Sequence, residues 1–301
     1  MEGLHLSTSP AAQARGRLFP VRYISFRVGG RTSYGVLRDQ SVIDLGARVG
    51  DLLPDLTRYL DALSRGFQPP PLPALIEDYA ASDIEYLPVC RPGKILCVGL
   101  NYQTHRDETG RGDHPYPTLF SRFADTLTGH GSAILRPQVS DRLDFEGELA
   151  IVIGRPAWRV TREEAAGVIA GYACFNDGSI RDWQRHTSQF LPGKNFPSTG
   201  PLGPALVTPD EVGPLDTLGI ETRLNGQVMQ SARLGDMIFP PDALIAYITS
   251  FTQLLPGDVI ATGTPGGVGF TREPPLFMKP GDVIEVVIDN VGHLRNTVAE
   301  E

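Results

Sequence analysis

The chain of 301 residues holds only three cysteines, Cys90, Cys97 and Cys174, and no two of them fall in a CxxC spacing. This scarcity speaks against a disulfide framework and a thiolate zinc site, and leaves small buried apolar residues as the expectation. The six histidines form no HxH or HExxH pair, which removes the common zinc-hydrolase layouts. No GxSxG element is present, so the most frequent serine-hydrolase arrangement is excluded. Apolar runs such as residues 149–153 and 283–288 fall far short of the ~20 residues that a membrane helix needs. Basic residues are outnumbered, 27 Lys plus Arg against 35 Asp plus Glu, and form no block. With a net charge of -8, a nucleic-acid partner is not expected. The first residues lack the basic-then-apolar pattern of a secretory signal, so a cytoplasmic protein with no membrane partner is expected.

What is present describes a globular enzyme. Hydrophobic residues make up 41% and charged residues 21% of the chain, and its 33 Gly and 26 Pro promise many turns. Residues 1–20 carry no periodicity and read as a flexible tail. Short strands around Gly29–Gly30 and a helix over 51–63 suggest a small β-rich N-terminal domain over 21–88, with a catalytic domain over 89–301. Within the latter, strands are expected over 94–99, 144–154 and 172–177. Thr161 and Glu164 have capping-box spacing at the head of a short helix. Leu244, Ile245, Ile248 and Phe251 share one face of a helix expected over 241–253. The triplet Pro-Gly-Asp occurs at 256–258 and at 280–282, each time before Val-Ile, as a type II turn entering a strand would. The pattern is α+β.

Glu146 and Glu148 stand two apart at the start of an apolar run, so a strand projects both from one face. Like charges at a core edge raise a pKa or cost several kcal/mol, and a divalent cation relieves both. An ion pair with Arg142 or Arg155, or exposure of one carboxylate, is the other reading. Asp177 ends the following strand before Gly178, where a carboxylate can turn into a cleft or close an Asx turn. Oxygen ligands suit Mg²⁺ or Mn²⁺, with Ca²⁺ also allowed, better than zinc. His105 and Glu108 are three apart, a spacing at which a carboxylate can orient an imidazole as a general base or merely form a surface ion pair. Lys194 can place a point charge near an anionic substrate, or simply be solvated. The glycine-rich segment 263–269 resembles an anion cradle but lacks the GK[ST] ending of a nucleotide loop.

The order of these pieces carries more than any one of them. Residues 94–102 with His105 and Glu108, then 144–154, 171–177, Arg181-Asp182-Trp183-Gln184, Gly193-Lys194, Pro201-Leu202-Gly203-Pro204, Asn225-Gly226, Asp236-Met237-Ile238 and Thr262-Gly263-Thr264-Pro265 resemble the fumarylacetoacetate hydrolase family. The likeness spans about residues 90–298. It implies a mixed β-roll fold, a homodimer, metal ligands at Glu146, Glu148 and Asp177, and a mobile lid carrying the His105–Glu108 dyad. It also implies substrate contacts from Asn101, Tyr102, Gln184, Lys194 and Thr264. Gly178, Asn195 and Arg122 depart from the family pattern, which has Val, Ser and Lys there, and His186 follows Gln184. These neighbours of the metal site bear on which substrate fits.

The resulting expectation is a metal-dependent hydrolase that cleaves a C–C bond of a 2,4-dioxo acid of the acylpyruvate type, with His105 activating water and Lys194 and Thr264 stabilising oxyanion charge. Decarboxylation of an oxaloacetate-type acid and isomerisation of an enol-diene use the same metal logic. A non-catalytic protein that binds small anionic 2-oxo acids is the alternative of another class.

Overall fold

The computed structural model describes residues 21–112 and 114–301; the tail expected over 1–20 lies outside them. Ten strands run in sequence across a large mixed sheet. At its centre Gly147–Ile153 pairs antiparallel with Ile169–Asn176 on one side and with Val259–Ala261 on the other. Val259–Ala261 then lies parallel to Ile95–Gly99. Every residue of Gly147–Ile153 is buried, and the period of two divides its side chains between two cores. Leu149, Ile151 and Ile153 enter one cluster, while Ala150 and Val152 enter another. A second sheet of five strands runs from Gln227–Arg233 through Gly219–Leu224, Val283–Ile288 and Gly292–Glu300 to Ala133–Arg136. This is the α+β, sheet-rich architecture expected.

The N-terminal unit expected over 21–88 joins the large sheet directly, because Arg22 and Tyr23 pair with Val207 and Leu206. Its helix is shorter than 51–63 and runs Leu56–Ser64, since the Asp55 carboxylate accepts the Arg58 N–H at 2.9 Å and caps it. The later helix is Pro241–Thr249, with Leu244, Ile245 and Ile248 buried. It stops before Phe251, which is 55% exposed rather than on the buried face. Both Pro-Gly-Asp triplets are turns: Gly257 and Gly281 have φ of 86° and 92°, and Asp258 and Asp282 donate backbone N–H groups to Leu255 and Lys279. The three cysteines are free and buried, and burial pushes the Cys90 and Cys174 thiols up to about 12.

The single strand expected over 144–154 is interrupted. Leu143–Asp144 pairs with Ser179–Ile180, and the main strand starts only at Gly147. Glu146 therefore sits in the break, its N–H held by Asn176 Oδ1 at 2.9 Å. Gly147 lets the second sheet approach, for a Cβ there would lie 2.0 Å from Thr222 Oγ1. Gly193 plays the same part between two short helices, Arg181–Gln184 and Leu191–Lys194; a Cβ there would meet the Gln184 N at 2.4 Å. Gly147→Ala is expected to lower stability by about 1–3 kcal/mol through overpacking. Thr222→Ala removes a hydroxyl that has no hydrogen-bond partner, so it should be near neutral alone and recover part of the loss in the double mutant. Urea denaturation of the four proteins checks this, and equal losses in Gly147→Ala and the double mutant would refute the contact.

Candidate active site

Antiparallel register brings the carboxylates together. Gly147 is opposite Asn176 and Glu148 opposite Phe175, so Glu146, Glu148 and Asp177 meet where the two central strands end. One carboxylate oxygen from each lies within 4.8 Å of the others, and all three side chains are buried. Neither Arg142 nor Arg155 offsets this charge. Arg181 Nη1 donates to Glu146 Oε1 at 2.6 Å, and Lys194 Nζ donates to Glu146 Oε2 and Asp177 Oδ2, each at 2.6 Å. Arg122 Nη1 reaches Asp177 Oδ1 at 2.5 Å and Nη2 reaches Thr199 Oγ1 at 2.6 Å. Asp144 takes Arg181 Nε at 2.7 Å.

The ionisation follows from these contacts. Burial alone would raise the Glu146 pKa, but the Lys194 and Arg181 charges hold it at about 2. Burial, Asp177 and Glu146 push Glu148 well above the usual carboxylate range, since its only polar contact among the described residues is the Gly263 N–H at 2.9 Å. Burial disfavours the Lys194 ammonium, yet Asp177 and Glu146 keep its pKa above the ordinary value. Four buried carboxylates, those of Asp144, Glu146, Glu148 and Asp177, thus stand against three cations. An all-oxygen donor set with one carboxyl group, that of Glu148, left without a cation fits a hard divalent ion such as Mg²⁺ or Mn²⁺, whose charge would favour its ionised form.

A cavity of about 420 Å³ opens over this cluster, lined among others by His105, Glu146, Glu148, Gln184, Lys194 and Thr264. The short helix Gln103–Thr109 places His105 on its wall with Glu108 behind it, and His105 Nδ1–H donates to Glu108 Oε1 at 2.6 Å. The other ring nitrogen is left to the cavity. Burial would raise the Glu108 pKa, but the contacts to His105 and the Gly267 N–H hold it below its ordinary value. Glu108 Oε2 accepts Gly267 N–H at 2.8 Å and the Thr271 hydroxyl at 3.0 Å, and Thr104 Oγ1 accepts Gly266 N–H at 3.0 Å.

Several expected roles change. Asn101 and Tyr102 do not line the cavity. The Asn101 amide is consumed by Phe239 O, Thr262 O and Phe239 N–H, and the Tyr102 hydroxyl is buried without a partner. Lys194 does line it, but its donors are spent on Glu146 and Asp177, so it acts as a fixed charge behind the carboxylates. Thr264 Oγ1 is likewise committed, to Gly147 O at 3.0 Å and Gln230 Nε2 at 2.7 Å. The glycine-rich segment is no empty cradle, since the N–H groups of Gly263, Gly267 and Gly269 go to Glu148, Glu108 and Asp144. Gln184 lines the cavity as expected, with Oε1 accepting from Arg181 Nη1 at 2.9 Å. Sequence reasoning assigned no role to Asp144 or Arg181, although both lie inside quoted motifs; the signal for Asp144 was its place between Leu143 and Phe145, and Arg181, followed by Asp182, had no such signal.

The family model described as fumarylacetoacetate hydrolase C-terminal matches residues 94–299. The chain belongs to the fumarylacetoacetate hydrolase family. A mitochondrial oxaloacetate tautomerase of Rattus norvegicus is 40% identical over 219 residues, which is 72% of this chain and 70% of the relative. A fumarylacetoacetate hydrolase from Exiguobacterium antarcticum superposes with a TM-score of 0.81 at 31% identity, covering 93% of this chain and 100% of that one. A 2-hydroxyhepta-2,4-diene-1,7-dioate isomerase from Mycobacterium marinum does so at 0.73 and 27%, covering 93% and 99%. The family thus holds hydrolases, isomerases and tautomerases on one fold.

Glu148→Ala should remain folded, because it removes one of several crowded like charges, and should lose Mn²⁺ binding. Arg122→Met, which takes the guanidinium from Asp177 Oδ1 as well as from Gly178 O and Thr199, should weaken Mn²⁺ by about 10–100-fold. Calorimetric titration with Mn²⁺ measures both, and undiminished affinity in Glu148→Ala would remove this carboxylate from the ligand set.

Proposed function

We propose that the chain catalyses keto–enol tautomerisation of a small 2-oxo dicarboxylic acid of the oxaloacetate type. The carrying observation is His105, which faces one cavity with Glu146 and Glu148 of the carboxylate cluster and is bonded through Nδ1 to Glu108, leaving Nε2 without a hydrogen-bond partner among the described residues. The name of the Rattus norvegicus relative supports the same chemistry. Glu146, Glu148 and Asp177 would hold a divalent cation, which when bound supplies the positive charge that draws in a 2-oxo acid and favours its enol.

The chain's own groups then move one proton. His105 Nε2 accepts it from C3 of the keto acid, and Glu108, bonded to Nδ1–H, stabilises the imidazolium. The C3–H electron pair becomes the C2–C3 double bond, and returning the proton to the oxygen at C2 completes the enol. Lys194 and Arg181 keep the Glu146 carboxylate ionised. Thr104 and Glu108, bonded to residues 266, 267 and 271, hold the helix against the cavity.

Water-dependent cleavage of an acylpyruvate to pyruvate and a carboxylic acid is the second reading, favoured by the same dyad because it can deprotonate water instead of carbon. Decarboxylation requires no such base. His105→Ala should therefore lower kcat for tautomerisation by about 10²–10⁴, while Mn²⁺ affinity stays at the wild-type value because imidazole is not a ligand. EDTA should arrest the wild type, and Mg²⁺ or Mn²⁺ should restore it. The assay follows loss of oxaloacetate enol absorbance, with pyruvate, CO₂ and acylpyruvate consumption measured in parallel. Wild-type kcat in His105→Ala would discard the mechanism, and pyruvate formed from an acylpyruvate without enol turnover would favour the second reading.

A further inference from the structure

The floor of the cavity is buried, with His105, Glu148 and Lys194 7%, 2% and 1% exposed. Two further cations line the same cavity but are exposed, Arg111 just beyond the helix Gln103–Thr109 and Arg185 just beyond the helix Arg181–Gln184. The buried cations are paired, Arg181 with Asp144 and Glu146 and Lys194 with Glu146 and Asp177, and only Arg181 Nη2 has no hydrogen-bond partner among the described residues. Arg111 and Arg185 have no carboxylate partner among the described residues. Each guanidinium instead lies over an aromatic ring of the cavity wall, Arg111 Cζ 5.6 Å from the Phe190 centroid and Arg185 Cζ 4.6 Å from that of Phe270. Stacking of this kind steadies the guanidinium plane and leaves its N–H edge for an incoming anion. Among the described residues the acids that line the cavity, Glu146 and Glu148, are at the floor with Arg181 and Lys194 beside them, so the mouth carries positive charge with no acid to offset it.

We propose that Arg111 and Arg185 form a subsite for the distal carboxylate of the substrate, which makes the cavity selective for 2-oxo dicarboxylates over 2-oxo monocarboxylates. The inference rests on the reading of the cavity as a 2-oxo acid site and adds what its mouth requires of the tail. The 2-oxo carboxylate end goes to the floor. A second carboxylate then meets guanidinium forks able to take it in bidentate fashion. An acyl tail without charge would meet the same two cations with nothing to pair them.

The test is calorimetric binding of 2-oxoglutarate and 2-oxopentanoate, equal in chain length but differing in the distal carboxylate, to the Mn²⁺-loaded protein. The wild type should bind 2-oxoglutarate about tenfold more tightly, the scale of two exposed ion pairs. In the Arg111→Gln/Arg185→Gln double variant that ratio should fall to about one through loss of 2-oxoglutarate affinity. Arg142→Gln, which changes a nearby arginine outside the cavity wall, should keep the wild-type ratio. A wild-type ratio near one, a ratio that survives in the double variant, or an equal collapse in Arg142→Gln would overturn the subsite while leaving the 2-oxo acid reading intact. If the wild type bound neither acid, that reading would fall and the subsite with it.

Discussion

A cluster of carboxylates can be buried at the end of a strand only if positive charge is buried with it, and much of this molecule serves that requirement. Ionised side chains removed from water lose several kcal/mol of solvation each unless they are paired. Arg122, Arg181 and Lys194 come from three separate parts of the chain to meet Asp144, Glu146 and Asp177. Their supports are equally specific: Gly193 permits the close packing that delivers Lys194, and Thr199 fixes the far side of Arg122. Glu148 is left with one backbone N–H. The imbalance makes the cluster receptive to a cation while the surrounding pairs keep the protein folded around it.

The segment 263–271 links this electrostatic centre to the proton-transfer groups. Its N–H groups satisfy Glu148, Glu108 and Asp144 in turn, so one loop touches a metal-ligand candidate, the dyad and the partner of Arg181. A displacement of this loop is felt in all three places. Function and stability are hard to separate here, because the hydrogen bonds that orient the site are also those that satisfy its buried polar groups.

The carboxylates were legible in the sequence because two acids beside a strongly apolar run conflict with simple burial, and the conflict has few remedies. The spacing of His105 and Glu108 left a surface ion pair open, and it was the family resemblance that marked them as a dyad. The Pro-Gly-Asp turns were legible from their chemistry. What could not be read was which cation answers which acid: Arg181 is 35 residues from Glu146 and Lys194 is 48, distances at which only the tertiary fold decides. Asn101 misled for a related reason. It belongs to a quoted motif, yet its amide is needed to pin the chain to Phe239 and Thr262, a demand invisible until the fold brings those segments beside it. The helix at 241 ended early because Phe251 fits the helical period equally well whether it packs or faces water.

The hydrogen bonds around Glu108 have one more consequence. The carboxylate that orients His105 through one oxygen is anchored through the other to Gly267 and Thr271, while Asn101 fixes the root of the same helix. Any outward swing of that helix therefore breaks the anchor as it opens the cavity. Glu108 then loses two donors, while its bond to His105 on the same helix travels with it. The carboxylate beside the imidazole would thus exchange two fixed protein donors for solvent as the wall moved, so the electrostatic setting of His105 is tied to the position of its helix.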